Sequence, residues 1–419
     1  MRRKILLIML SVFASICLAR RASAEVMTLQ QATQQVLAVN PQVRAARYRW
    51  ESAQHQIIQN YTPADPQFSF TDFDSWRGFL YGSGNHNITL TQSFQFPGKG
   101  LLQGSTARRS AEIARLSYLA AMRDVRAQAE TAYYQIQLDL ALNDLIAENV
   151  VNLQSVLEVT KIAYIANLAT QGDFINAKFA LEADREQLRQ QRVTILNDKT
   201  ALNILLARRA DEPLEVERKF DLTSFEASLD QVLVQAVSSR QEILQAALTE
   251  KNQDTALTLA RLEYAPDYQL GFGLDHWLIA SFAPMPNHTE TWNFLLSFNL
   301  PIFFWAKNED IARARQDLNA AGEDLESVRL QTQGTVTALY RQILRSRETA
   351  LLYRNTLVPL ARQAFEVMLV AYQGGKVDFT TLISTFRQWH DARSTYLQAV
   401  NALLAGKVAL EQAAGGRLQ

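Results

Sequence analysis

The residues able to do chemistry are few and scattered. Five histidines, His55, His86, His276, His288 and His390, stand far apart, and the single cysteine is Cys17, so no pair has the close spacing of metal ligands. There is no Gly-rich phosphate-binding loop, and no nucleophile falls beside a base and an acid in a recognisable pattern. The sequence therefore predicts no enzyme and no bound cofactor, nucleotide or metal. Two acids stand out by position: Asp173-Phe174 and Asp378-Phe379 each open a helical stretch. An Asp there is a natural N-cap; in a constriction it would also attract cations.

The elements that would position such residues begin after an export signal. Arg2, Arg3 and Lys4 precede an apolar run from Ile5 to Ala19, and Ala22-Ser23-Ala24 supplies small residues for cleavage, the layout of a secretory signal peptide over residues 1–24. Cleavage before Cys17 with lipid attached is the alternative, for which Ile16 is a poor residue. Removal of the signal takes five of the 42 basic residues and none of the 42 acidic ones, leaving 37 against 42. Such a mildly acidic chain is not expected to bind nucleic acid. No later stretch has about 18 consecutive apolar residues, so no membrane-spanning helix is expected.

The rest of the chain reads as two copies of one plan. Pro66-Gln67-Phe68-Ser69-Phe70 lines up with Pro266-Asp267-Tyr268-Gln269-Leu270, and Ser93 to Pro97 with Ser297 to Pro301. Asp173-Phe174 matches Asp378-Phe379 at a slightly larger offset, and an ordered set of such matches marks a duplication. The boundaries expected are 25–221 and 222–419. With only 16 Gly and 10 Pro in 419 residues, long helices are predicted at 28–60, 102–166 and 173–208, and again at 228–263, 307–371 and 378–412. Phe174, Leu181, Leu188, Ile195 and Leu202 recur every seventh residue, as do Leu382, Trp389, Tyr396, Leu403 and Leu410, which predicts coiled-coil packing.

Four strands are predicted at 67–77, 86–96, 267–278 and 290–300. Ile88, Leu90, Phe94 and Phe96 alternate with polar residues, broken only by Gln92, and Trp292 to Leu300 alternate likewise, with Leu295 the exception. Period two over about 10 residues suits a strand crossing an outer membrane. Alternation alone fits equally two amphipathic hairpins on a soluble core, but rod-like helices offer no such core. Aromatic residues at the strand ends, Trp76, Phe79, Tyr81, Trp277, Trp292, Phe303, Phe304 and Trp305, suit interfacial girdles. Four strands cannot close a barrel in lipid, so a spanning chain must oligomerise.

Leu29-Gln30-Gln31-Ala32 and Asn40-Pro41-Gln42-Val43-Arg44-Ala45-Ala46 resemble the start of the TolC, or outer-membrane efflux protein, family. Gln92 to Lys99 resembles the strand-to-helix junction of its heavy-metal-exporter branch, and Leu300-Pro301-Ile302-Phe303 the matching junction in the second half. Tyr164 to Ala177 and Tyr372 to Leu382 look like the family's two periplasmic hairpin turns. The resemblance covers essentially the whole mature chain. It implies a mainly α fold with a membrane β-barrel portion: a homotrimer giving four strands per protomer to a twelve-stranded barrel, with long helical hairpins as a periplasmic tunnel. Its partners would be outer-membrane lipid, a periplasmic adaptor and an inner-membrane pump.

The same resemblance places Asp173 on an acidic position of the family's closing network and Tyr372 on its tyrosine. Val377 occupies the basic position, so Lys376 would substitute from one residue earlier. Thr381 and Ser384 stand where some members carry an acidic ring, leaving Asp378 as a weaker source of charge. The expected function is a passive duct in the Gram-negative outer membrane, exporting small molecules or metal ions. The rival reading is a periplasmic coiled-coil scaffold or adaptor without a pore.

Overall fold

The computed structural model describes residues 26–72, 86–218, 220, 226–279 and 287–418. The described chain is mainly helical, with two small sheets. It divides into two compact units, each drawing on both halves of the sequence. One holds the described residues up to Arg44 with Ala121–Arg240 and Thr332–Gln419, and the other holds Ala45–Ala120 and Gln241–Gln331.

The duplication is visible in how the helices begin. Helix α1 (Leu29–Val39) opens on a capping box in which Thr28 and Gln31 bond each other's backbone. Helix α5 (Leu229–Ser239) opens on the same device, Ser228 with Gln231, 200 residues later. Each box satisfies two of the N–H groups a helix start leaves without partners. Both helices then stop where a single helix was predicted to run on. At the first break Asn40 leaves helical geometry before helix α2 (Pro41–Tyr61), because a residue preceding proline disfavours the α region. Its buried side chain accepts from Gln42 N at 2.8 Å and donates to Leu205 O at 3.0 Å. At the second, Arg240 is extended before helix α6 (Gln241–Leu262), and its guanidinium donates to Ala413 O at 3.2 Å.

In the first unit, the C-terminal part of helix α3 (Lys99–Ile165), with helix α4 (Gln171–Leu205), helix α8 (Val358–Gln373) and helix α9 (Phe379–Ala413), supplies the core around the hairpin turns. The heptad stripes face inward: Leu181, Ile195, Leu202, Leu382, Leu403 and Leu410 are buried. Helix α3 is 67 residues long, about 100 Å at 1.5 Å per residue. Its counterpart is interrupted. Helix α7 (Phe304–Leu352) passes into a π-helical turn at Tyr353–Leu357 before α8. Pro359 explains the position, since it has no N–H and its ring crowds the preceding turn; a wider turn relieves both problems. A two-residue parallel pairing, β1 (Val26–Met27) with β4 (Glu215–Val216), was not predicted. Tyr133 supports it, donating to Met27 O at 2.9 Å and accepting from Glu217 N at 3.1 Å.

The second unit carries the larger sheet. Strands β2 (Gln67–Asp72), β3 (His86–Phe94), β5 (Tyr268–Ile279) and β6 (Asn287–Phe298) pair antiparallel in that order. The hairpins of the two halves are therefore joined through β3 and β5, leaving β2 and β6 as edges. The strand ends lie up to three residues from their predicted positions, and the predicted residues 73–77 lie outside the described residues.

The two described strand-to-helix joints of this unit, β3–α3 and β6–α7, both meet the short segment that joins α6 to β5. Lys99, 2% exposed, bonds Asp267 Oδ1 at 3.0 Å, Glu263 Oε1 at 3.3 Å and Ala265 O at 3.4 Å. Asp267 Oδ1 also accepts from Phe96 N at 2.7 Å. Lys307 reaches Glu263 Oε2 at 3.4 Å, and Tyr264 donates to Asn308 Oδ1 at 2.7 Å. Lys99, singled out in the sequence as part of a junction motif, is thus the buried cation that ties the end of β3 to the start of β5.

Candidate functional site: sheet faces and hairpin turns

Register sorts the strand residues into two faces of opposite chemistry. One face carries the rows Phe70, Ile88, Leu274, Trp292 and Phe68, Leu90, Phe272, Phe294, followed by Leu270 with Leu296 and by Phe94, Tyr268 and Phe298. Phe68 is 68% exposed and Phe294 69%, so no described residue covers them. Beyond the apolar rows stands Asp72, His86, His276, Glu290; His86 and His276 stack with centroids 4.7 Å apart. The opposite face is polar: Ser69, Thr89, Gly273 and Asn293 form one row, and Thr71, Asn87, Asp275 and Thr291 the next. Leu295, opposite Gly271, is an apolar exception, and the register also puts Trp277, opposite Thr289, and Ile279, opposite Asn287, in phase with this face. Bare aromatic rows of this extent are untenable in water and are what lipid contact requires, whereas the polar face suits a water-filled lumen. No described helix is long and apolar enough to cross a membrane.

Of the aromatic residues expected at strand ends, Trp292 lies on the apolar face beside Phe272, centroids 5.1 Å apart. Phe303, Phe304 and Trp305 sit exposed at the β6–α7 joint, and Trp305 packs edge-on to both phenylalanines at 5.4 and 5.3 Å. Trp76, Phe79 and Tyr81 lie outside the described residues, and Trp277 is described through its backbone alone.

At the hairpin turns the structure revises the sequence alignment. After α3, Asn167 takes φ 59°, and Leu168 N bonds Ala163 O at 2.8 Å while Asn167 N bonds Tyr164 O at 3.0 Å. After α8, Gly375 takes φ 70°, Lys376 N bonds Ala371 O at 2.9 Å, and Gly375 N bonds Tyr372 O at 3.0 Å. These are the same C-terminal turn, 208 residues apart. Tyr164 therefore matches Tyr372, and Asp173 matches Thr381 instead of Asp378. Asp378 is the N-cap of α9, accepting from Thr381 N at 2.8 Å. In the first turn Thr170 is the N-cap, and Asp173 sits three residues in as its capping-box partner, accepting from Thr170 N and Oγ1 at 2.9 Å each. The matching dipeptides Asp-Phe misled the alignment because capping accepts an acid at either end of the box.

Of the residues expected to close a gate, Asp173 and Tyr372 come near each other. Tyr372 is 4% exposed, and its hydroxyl has no well-formed hydrogen bond among the described residues. Burial pushes it above the ordinary tyrosine range; contact with Thr160 pulls the other way, and the charge of Asp173 adds to the rise. Lys376 is exposed and has no ion-pair partner among the described residues. Hydrogen bonds from Thr381, side chain first and then backbone, hold Asp378 below the usual carboxylate range. Ser384 donates to Thr381 O at 2.9 Å.

A second titratable pair was not anticipated. Asp139 on α3 is 4% exposed and accepts from Gln135 at 2.9 Å and from Gln191 of α4 at 2.8 Å. Asp198, on α4 beside it, has one buried oxygen without a partner. Burial, then a hydrogen bond and the charge of Asp139, push Asp198 up to about 7, as expected for two carboxylates sharing one proton. The residues are 59 apart in sequence, and only the antiparallel hairpin brings them together.

These features agree with the comparisons. The sequence pattern of the outer membrane efflux protein family matches twice, over residues 32–208 and 232–416. No curated protein matches the chain. Among solved structures, the outer membrane protein VceC from Vibrio cholerae is 16% identical with a TM-score of 0.78, over 93% of this chain and 97% of that one. The CmeC outer membrane channel of Campylobacter jejuni is 16% identical with a TM-score of 0.75, over 93% and 86%. The open state of the Neisseria gonorrhoeae MtrE outer membrane channel is 18% identical with a TM-score of 0.75, over 93% and 89%. At these identities the structures establish the fold, and the doubled match over most of the chain establishes the family. An internally duplicated, mainly helical chain bearing a sheet with one apolar and one polar face is an outer-membrane efflux channel, and this chain belongs to the outer membrane efflux protein family.

Proposed function

We propose that three copies of this chain close a twelve-stranded barrel, the free edge of β2 in one protomer pairing with the free edge of β6 in the next. The observation that carries this is the four-stranded sheet with one bare apolar face and two unpaired edges, since an open edge in lipid leaves backbone groups without partners. The helices form the periplasmic tunnel of a tripartite system. Small molecules or metal ions handed on by a periplasmic adaptor and an inner-membrane pump pass through it passively, and no bond is made or broken. Residues 1–24 are removed as the export signal, and residues 25–221 and 222–419 are the two repeats. Phe303, Phe304 and Trp305, with Trp292, mark the levels of the membrane interfaces. A pore-less scaffold would leave the apolar face without a role. Extraction tests the proposal: an SDS-resistant trimer in the outer-membrane fraction that gives conductance steps in a planar bilayer supports it, and release with the soluble periplasm overturns it.

The gate belongs to the same reading. Tyr372, buried without a good partner among the described residues, and Asp173, with its carboxylate beside it, hold the tunnel end shut; Lys376 and Asp378 lie on the second turn and contribute charge there. Asp173→Asn keeps an oxygen for the Thr170 cap and removes the charge. Single-channel conductance of this variant and of Tyr372→Phe should rise above that of the parent. Unchanged conductance and cation selectivity in both would remove these residues from the gate.

A further inference from the structure

Within the four strands, one charged side chain stands on the polar face among the described residues: Asp275 of β5. Its setting is built. Asn87 of β3 donates its amide to Asp275 Oδ1, and Asn293 of β6 donates to Oδ2 at 2.6 Å. Thr89 donates to Asn87 Oδ1 at 2.6 Å, which fixes that amide with its N–H side toward the carboxylate. Asn293 reaches across from the neighbouring row, opposite Gly273. A Cβ on Gly273 would collide with Asn293 Oδ1, so only glycine lets that side chain lie over the strand.

The contrast with Asp267 shows what this arrangement does. Asp267 is partnered by the buried ammonium of Lys99, which neutralises it. Asp275 is held from both sides by neutral amides and has no basic partner among the described residues, so it is oriented without being neutralised. All other described residues that the register places on this face are of uncharged types: Ser, Thr, Asn, Gln, Gly, Leu, Trp and Ile.

We infer that Asp275 is the charge filter of the barrel, one carboxylate per protomer facing the lumen and favouring cations and cationic solutes over anions of the same size. A ring of carboxylates in a pore acts on permeant ions through charge at short range, and screening confines its reach to about 8 Å at physiological salt. This rests on the polar face being the lumen of an export channel. The test is the reversal potential of the purified full-length protein in a planar bilayer under a KCl gradient. Asp275→Asn, which keeps the size and one acceptor, should lower the cation-to-anion permeability ratio at least about twofold, and Asp275→Lys should reverse the preference. Conducting channels whose ratio is unchanged in Asp275→Asn overturn the filter and leave the channel standing. A parent protein that inserts without conducting overturns both. Should the lysine variant fail to assemble, Asp275→Cys decides: the only other cysteine is Cys17. A cationic, membrane-impermeant thiol reagent should react there and shift the ratio toward anions, whereas no reaction in conducting channels places residue 275 away from the lumen.

Discussion

Asp198 is the residue whose chemistry departs furthest from its type. Its folded-state value near 7 lies above its ordinary 3.8, so between those values the folded protein holds a proton that the unfolded chain has released. Stability contributed by this group is therefore full at low pH and falls as pH rises from about 4 to about 7, then stays level. Asp198→Asn removes the loss. Thermal midpoints of the detergent-solubilised protein should show the variant more stable than the parent at pH 8, by about 1 kcal/mol after allowance for solvent screening, and equal to it at pH 4. Tyr372→Phe makes the opposite kind of test. Because the hydroxyl has no good partner among the described residues, its removal should cost under about 0.5 kcal/mol in any measurement on unassembled protein. A larger loss confined to the trimer would identify a partner on the neighbouring copy.

At the scale of elements, the joint at Lys99 and the rows of the sheet carry the consequences. Lys99→Met leaves Asp267 with the Phe96 N–H alone and loosens the tie between the β3–α3 joint and the segment that joins α6 to β5. The loss should be about 2 kcal/mol, read as a lower temperature at which the folded form disappears on semi-native gels. Gly273→Val drives a branched side chain into Asn293 and should reduce the yield of assembled protein without affecting secretion. The sequence made the strands, their alternation and the inward heptad stripes legible, because periodicity reports which face is buried. It did not reveal the breaks at Asn40 and Arg240, the π-turn before Pro359, or the β1–β4 pairing. Each of those depends on a neighbour distant in sequence or on a local backbone adjustment that leaves the hydrophobic pattern intact. The candidate gate was half legible: Asp173 and Tyr372 do approach, but the alignment of the turns came only from their hydrogen bonds, which place Asp378 at a cap.

For the whole molecule, the decisive property is that the described sheet has an exposed apolar face and two open edges, which the proposed trimer and lipid would cover. Phe294→Arg puts a charge in the middle of the apolar face and should cost about 2–4 kcal/mol if that row lies near the bilayer centre. The measurement is the fraction of protein recovered as trimer from outer-membrane vesicles; recovery equal to the parent would mean that the row lies outside the hydrocarbon. The two halves of the chain have also diverged in length. Pro97 and Pro301 are 204 residues apart, but the turn hydrogen bonds that follow are 208 apart. The second half thus carries four more residues between strand and turn, about one helical turn, and the π-turn lies within that stretch.

The paired turns leave one further consequence. Thr170 with Asp173 and Asp378 with Thr381 both cap their helix with the hydroxyl and the acid exchanged, the first pair reciprocally and the second through the Asp378 carboxylate alone. Each satisfies an N–H at the helix start, so exchange of the residues at a turn keeps a cap in place. The negative charge nevertheless moves by three residues, nearly one helical turn, each time. The periplasmic end of such a protein can thus change its electrostatic character by neutral drift, and descendants of one duplicated ancestor can come to favour different passengers without passing through a misfolded intermediate.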